Sequence, residues 1–397
     1  MHRDRAHCDV ELSEQERTES RSGVRCIPVR SPWCVGSVIV TTLDFVYQTR
    51  PSRVVFGAGS LQHLEREVLM LGAERALILS TPEQRGTAEA IATRLGARAA
   101  GVFDRAVMHV PIEVAREARE VAQSLNADCA IAIGGGSTIG LGKAIALESG
   151  LSILAIPTTY AGSEMTPIYG ITERGLKRTG TDGRVLPKTV IYDPELTITL
   201  PVNLSITSGI NAIAHAAEGL YARDINPVMS LMAEEGIRAL ASGLPGVRSN
   251  PQDIAARGQA LYGAWLAGTV LGNVGMALHH KLCHTLGGSF NLPHAETHTI
   301  VLPHALAYNS AAAPDAMRCI ARALGSSDAA QGVYDLARNN GASVALKDLG
   351  MSESDLDRAA DIASANPYWN PRPIDRAALR TTLQDAYDGV RPREARS

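Results

Sequence analysis

Several features are scarce in this chain of 397 residues, and each scarcity removes a class of protein. The six cysteines (Cys8, Cys26, Cys34, Cys129, Cys283, Cys319) form no CxxC pair and no regular spacing. That disfavours a disulfide framework, and Cys129, inside an apolar run, is expected to behave as a small reduced hydrophobe in a cytoplasmic protein. No apolar run approaches the ~20 residues that a membrane span needs. Charge of one sign is missing too, because 38 basic and 41 acidic residues leave a formal net charge of −3. Only five of the basic residues are lysine and the arginines are scattered, so neither nucleic acid nor an anionic membrane is expected as a partner. The first 30 residues carry six Arg and six Asp/Glu without a continuous apolar stretch, so a secretory leader is not expected. Fixed-period repeats and low-complexity tracts are lacking.

What is present suits a globular enzyme: 45% hydrophobic residues, 20% charged, and length enough for two domains. Residues 1–43 read as a polar, poorly patterned tail, either disordered or upstream of the true start. From Val54-Val55-Phe56 onward, strands and helices alternate. "RALILS" (75–80), "AAGVF" (99–103), "CAIAI" (129–133) and "LSILAIP" (151–157) read as buried strands. Between them, "PEQRGTAEAIATRL" and "PIEVAREAREVAQSL" read as helices opened by Pro82 and Pro111. The alternation predicts a doubly wound, Rossmann-like parallel-sheet domain over 44–195. Beyond it, Ala, Leu and Met recur at helical spacing, which predicts an all-helical bundle over 196–392.

"CAIAIGGGSTIGLGKAIAL" sets Gly134, Gly135 and Gly136 directly after a strand and before a helix. Glycines there let an anion approach the backbone, and Ser137 is expected to cap a helix whose N-terminal amides favour phosphate. A strict GxGxxG is absent and Walker A fails, so the loop alone favours a phosphate only modestly over a tight turn without a ligand. The turn "AIPTTYAGSE", with Thr158 and Thr159, leaves a neighbouring strand in the same manner, and two such turns form a nucleotide crevice. Thr138 belongs to the same loop. After "ALIL" the chain has Ser80-Thr81-Pro82 where an acid would hold an NADH ribose, so NADH and NADPH both stay open.

Seven of the 11 histidines lie between 215 and 304. His215 follows Asn211 by four residues and His284 follows His280 by four, so each pair shares a helix face. Gly287 and Gly288 are expected to turn the chain so that "NLPH" brings His294 back. Asn211, His215, His280 and His294 would then converge, whereas His2, His7 and His63 read as ordinary surface or packing imidazoles. Cys283 reads as a packed thiol.

These stretches resemble the iron-containing (group III) alcohol dehydrogenase family over about residues 45–390. The resemblance rests on "GGGSTIGLGKAIAL", "IPTTYAGSEMTPIYGIT", "LPKTVIYDPEL" and "HHKLCHTLGGSFNLPHAETHTIVLPHALAYN". It implies NAD(P) at Gly134–Thr138 and Thr158–Thr159, and a homodimer. It also implies a metal site of one Asp and three His at the positions of Asn211, His215, His280 and His294, with His284 beside the nicotinamide. Asn211 departs from that pattern. Without a carboxylate the set leaves an ion's charge uncompensated, so no resident metal is expected. In these details the chain looks like the branch of the family that reduces the carbon–carbon double bond of maleylacetate to 3-oxoadipate during aromatic-compound degradation.

For that reaction His284 is the expected proton or hydrogen-bond donor, followed by His280, His294 and His215, with Tyr160 beside them. Lys281, Arg178, Tyr160 and His109 are the candidates for the two carboxylates of the substrate. A metal-dependent alcohol dehydrogenase or aldehyde reductase is the alternative reading. A catalytically idle nucleotide-binding protein is a third, and the paired turns and clustered histidines disfavour it.

Overall fold

The computed structural model describes residues 52–393 except Gly175, together with Phe45, Tyr47 and Gln48. The expected tail over 1–43 lies outside the described residues. In chain order the α/β part comprises β1 (Arg53–Phe56), α1 (Leu64–Met70), β2 (Ala76–Leu79), α2 (Arg85–Leu95), β3 (Ala99–Phe103), α3 (Ile112–Ser124), β4 (Cys129–Gly134), α4 (Gly136–Ser149) and β5 (Ser152–Pro157). A hairpin of β6 (Ile168–Glu173) and β7 (Leu176–Thr181) follows, and β8 (Thr189–Tyr192) completes the main sheet.

That sheet has six strands in the order β1-β8-β5-β4-β2-β3, all parallel. Parallel strands need cover on both faces, and the side-chain alternation supplies it. Ala76, Ile78, Ile131 and Ile133 pack with Leu64, Val68, Ala88 and Ile91 of α1 and α2. Leu77, Leu79 and Ala130 pack on the opposite face with Ala115, Ala118, Leu141 and Ile145 of α3 and α4. The doubly wound architecture read from the sequence is the architecture observed.

The remainder is helical: α5 (Val202–Leu220), α6 (Pro227–Ser249), α7 (Ile254–Asn273), α8 (Leu278–Phe290), α9 (His294–Asn309), α10 (Pro314–Leu324), α11 (Ala329–Asn339), α12 (Leu356–Ala365) and α13 (Arg376–Asp388). Small residues let these helices approach closely. A Cβ on Gly263 of α7 would lie 2.7 Å from the Gly236 carbonyl oxygen of α6, and one on Gly243 would lie 2.7 Å from the Ala260 nitrogen. That is the physical use of the Ala- and Gly-rich texture. Among the described residues no single helix is long and apolar enough to cross a membrane. Only the bent pair α7–α8, broken by 95°, passes on length and composition, and most of its residues are buried in the fold. One expectation fails here: Gly287 and Gly288 lie inside α8, and the chain turns at Asn291, whose φ is 55°. Asn tolerates that left-handed conformation, so the turn comes one residue after the helix rather than at the glycines.

Candidate active site

From β2 the chain runs outward to β3 and then returns across β2 to β4, which makes a switch point at the carboxyl ends of β2 and β4. Three loops meet there. Thr158 N–H donates to the Gly134 carbonyl at 3.0 Å, and Gln84 Nε2 donates to Thr158 Oγ1 at 2.9 Å. Gly134 has φ 146°, and a Cβ on it would lie 2.6 Å from both Gln84 Oε1 and Thr138 Oγ1. Gly135 presses on Thr159, with 3.0 Å left for a Cβ. Gly135, not Ser137, is the N-cap of α4, so Gly136, Ser137 and Thr138 form a first turn without a side-chain cap. Uncapped amides at the positive end of a 14-residue helix suit a phosphate. Ser80 is fully buried at the end of β2, and its carbonyl accepts from Ala106 N–H at 3.0 Å. Pro82 opens the short turn that leads into α2, and Gln84, which sequence reasoning passed over, is the residue of that turn that reaches Thr158, just after β5.

Helix α5 organises the second half of the site. Ser208, Asn211, His215 and Glu218 recur at three- and four-residue spacing and share one face of a largely buried helix. Ser208 Oγ accepts from Tyr160 N–H at 3.0 Å and so fastens the loop after β5. His215, one turn beyond Asn211, meets an imidazole cluster. Ring centroids lie 5.2 Å apart for His215 and His280, 5.0 Å for His280 and His298, 4.3 Å for His294 and His298, and 5.9 Å for His280 and His284. His215, His280, His284 and His294 are therefore brought together. His298, overlooked in the sequence, lies among them, and its spacing of four from His294 was the available signal.

Burial first, and neighbouring imidazoles second, hold His215, His279 and His298 well below the usual histidine range, so these rings are neutral at pH 7. His279 and His298 share a hydrogen bond of 2.9 Å between Nε2 and Nδ1. With Cys283 they offer ligand atoms within 4.8 Å of one another. Burial pushes the Cys283 thiol well up, however, and the two nitrogens already pair, so this trio packs rather than chelates.

Asn211 Oδ1, His215 Nδ1 and His280 Nε2 are buried without a partner among the described residues. They stand at the positions where the family resemblance puts a metal. An amide and three imidazoles contain no anionic oxygen, and the carboxylate of this neighbourhood, Glu218, uses both oxygens on α8. The donor set does not fit a tightly held iron.

The accessible edge of the cluster is His284, whose Nδ1 lies 3.0 Å from the Tyr368 hydroxyl. Lys281 Nζ stands 5.7 Å from the centre of the Tyr368 ring. Tyr368 comes from the loop between α12 and α13. Asn370 anchors that loop through a reciprocal amide pair with Asn309 (2.9 and 2.7 Å) and by accepting from Leu278 N–H at 3.4 Å. Tyr368 was also missed; its sequence carries no periodic signal.

Three proposed residues are not brought to the cluster. Tyr160 is fully buried, and its phenol faces the Arg257 guanidinium in the core, so the site uses its backbone rather than its hydroxyl. Arg178 lies on the exposed face of the β6–β7 hairpin, 3.6 Å from Glu173. His109 is exposed in the loop before α3, where φ is 66° and its carbonyl accepts from Thr172 Oγ1 at 2.8 Å. Lys281 is the one proposed carboxylate partner found beside the imidazoles.

A crevice for a dinucleotide next to a histidine cluster on a helical bundle defines a dehydrogenase. Residues 51–194 match the model of the iron-containing alcohol dehydrogenases and 205–387 match the C-terminal model of the same family. The chain belongs to that family. Within it, the sequence is 66% identical over 348 residues to maleylacetate reductase of Burkholderia cepacia, covering 88% of this chain and 99% of that protein. The fold superposes on the crystal structure of maleylacetate reductase from Agrobacterium tumefaciens with a TM-score of 0.86 at 56% identity, covering 88% of this chain and all of that one. It is shared more distantly with sulfoacetaldehyde reductase from Bifidobacterium kashiwanohense, solved with NAD+ (TM-score 0.80, 22% identity, 87% of this chain and 99% of that one).

Proposed function

We infer that the chain is a nicotinamide-dependent oxidoreductase that reduces the carbon–carbon double bond of maleylacetate, giving 3-oxoadipate. The observation that carries this is 66% identity to a maleylacetate reductase over nearly that protein's full length. The site geometry supports it. Maleylacetate conjugates its double bond to a ketone, so hydride from the nicotinamide adds to the carbon β to that ketone and an enolate forms on the ketone oxygen. A proton then goes to the α carbon. His284 and Tyr368, at the open edge of the cluster, are placed to donate to the enolate and to supply that proton. Lys281 beside them supplies a cation for one substrate carboxylate.

The reaction proceeds without a resident metal, a reading supported by the absence of any anionic oxygen from the set of Asn211, His215, His280 and His294. The absence of an acid at Ser80-Thr81-Pro82 supports use of both NADH and NADPH. The enzyme works in the cytoplasm as a homodimer, with a small dicarboxylate as its partner and neither nucleic acid nor membrane. The test is NADH consumption with maleylacetate by chelator-treated enzyme whose metal content is measured. Full activity without metal is the expected result. Activity that disappears and returns with iron or zinc would favour a metal-dependent alcohol dehydrogenase chemistry.

A further inference from the structure

Ala277, the N-cap of α8, has no side chain with which to cap its helix. The first backbone N–H groups of a helix lack partners within it and must find them elsewhere. Here all four find them on distant segments. Ala277 N–H donates to Glu218 Oε2 at 2.9 Å, Leu278 N–H to Asn370 Oδ1 at 3.4 Å, His279 N–H to Glu218 Oε1 at 2.7 Å, and His280 N–H to Glu218 Oε2 at 3.3 Å. Glu218 therefore caps α8 from across the bundle. Its side chain is fully buried on α5, where an acid is placed only when every lone pair is used.

The same carboxylate also meets a side chain. Oε2 lies 2.7 Å from His280 Nδ1. Backbone N–H groups can only donate, so both oxygens of Glu218 act as acceptors, and the proton of the contact with His280 sits on Nδ1. Nε2 of His280, buried and without a partner among the described residues, then carries the lone pair.

We propose that Glu218 is a positioning residue for the reduction: it seats α8 and holds His280 as the Nδ1–H tautomer, so that His280 accepts rather than donates within the site. Donation to the developing enolate falls to His284, one turn further along the helix that Glu218 caps, and to Tyr368. A carboxylate behind an imidazole that fixes its ring and tautomer is a recurring device in active sites. The proposal rests on the reductase reading above, and two experiments separate the failure of one from the failure of the other.

The first uses the wild-type chain labelled with 15N-histidine, His280 being assigned by the resonances lost in His280→Gln. The Nδ1–H form is expected. A proton found on Nε2 overturns the proposal, whatever the substrate proves to be, and this measurement needs no variant of Glu218 to fold. The second compares Glu218→Gln and Glu218→Asp with wild type. In Glu218→Gln one acceptor becomes an NH2 group facing N–H donors. Its kcat is expected to fall about 10- to 100-fold, a loss typical of removing such an outer carboxylate. The KM for NADH should stay within about twofold, because the glycine loops are untouched, and Glu218→Asp should recover part of the rate. A Glu218→Gln enzyme that melts earlier but keeps its kcat per folded molecule would make Glu218 a helix cap only and overturn the proposal. Wild-type enzyme that fails to reduce maleylacetate would remove the reductase reading and leave the nitrogen spectra standing.

Discussion

The imidazole of His284 and the phenol of Tyr368 share a hydrogen bond of 3.0 Å between segments 84 residues apart. His284 lies on the open side of a cluster whose other members, apart from His294, are buried, and Tyr368 is 40% exposed. His284→Ala is expected to lower kcat by about 10²–10³, the usual loss for one oxyanion donor, and Tyr368→Phe by about 10². Steady-state rates with maleylacetate and NADH check both, and near-normal turnover in both variants would remove the pair from the mechanism.

Asn211 stands where the family resemblance puts the carboxylate of a metal site. It is 3% exposed, and its Oδ1 has no partner among the described residues. Asn211→Asp places an anionic oxygen with three imidazoles, a donor set that iron or zinc holds well. The variant is expected to retain about one ion per chain after dialysis and to melt higher with the metal than without it. Elemental analysis and thermal melting measure both. If the variant sheds its metal as readily as wild type, the missing carboxylate is not what keeps the ion out.

Much of this architecture was legible because a parallel sheet covered on both faces appears in sequence as unbroken apolar runs. "ALIL", "CAIAI" and "SILAIP" became β2, β4 and β5 for that reason. The hairpin β6–β7 escaped notice because strands such as "LKRTGT" carry no apolar run, and β8 because "TVIY" opens and closes on residues with a polar group, Thr189 and Tyr192, leaving an apolar core of two. The histidines were legible through i,i+4 spacing, which places side chains on one face wherever the helix ends up. Glu218 was not, since an acid in "AHAAEGLY" reads as a solvent-facing residue until its burial is known. Tyr368 reaches the site by a tertiary contact that no local pattern encodes. Tyr160 was misread for the converse reason: its neighbours in sequence line the crevice while its own ring turns into the core.

Gly268 of α7 touches the loop that carries the second glycine turn. A Cβ on it would lie 2.8 Å from the Gly162 Cα and 2.9 Å from the Gly162 oxygen, both backbone atoms that cannot swing away. Gly162 has φ 77° and follows Thr158-Thr159 closely in the chain, so displacing it displaces the turn at the crevice. Gly268→Ala is expected to cost about 1–3 kcal/mol and to raise the KM for NADH. Gly86→Ala, on a helix with nothing within 4 Å of the added carbon, should be neutral or stabilising by a few tenths of a kcal/mol. Thermal melting and NADH fluorescence titration compare the two, and equal behaviour would show that the contact tolerates a methyl group.

Acid should weaken the fold through its buried imidazoles. His304 of α9 is 4% exposed, and burial pushes it down from 6.5 to about 4. His215, His279 and His298 are pushed down as well, by burial and by one another. Unfolded, each binds a proton near pH ~6.5. Between that pH and the folded value the unfolded chain therefore holds more protons, so stability falls as pH falls. For His304 the window runs from about 6.5 down to about 4, and its full effect is about 3 kcal/mol at about 1.4 kcal/mol per unit of pKa. His304→Gln removes that share, so the stability lost between pH 7 and pH 5 should shrink by about 2 kcal/mol relative to wild type. Urea denaturation at the two pH values measures the difference. An unchanged loss in the variant would mean that His304 already carries its proton in the folded protein, against the burial that surrounds it.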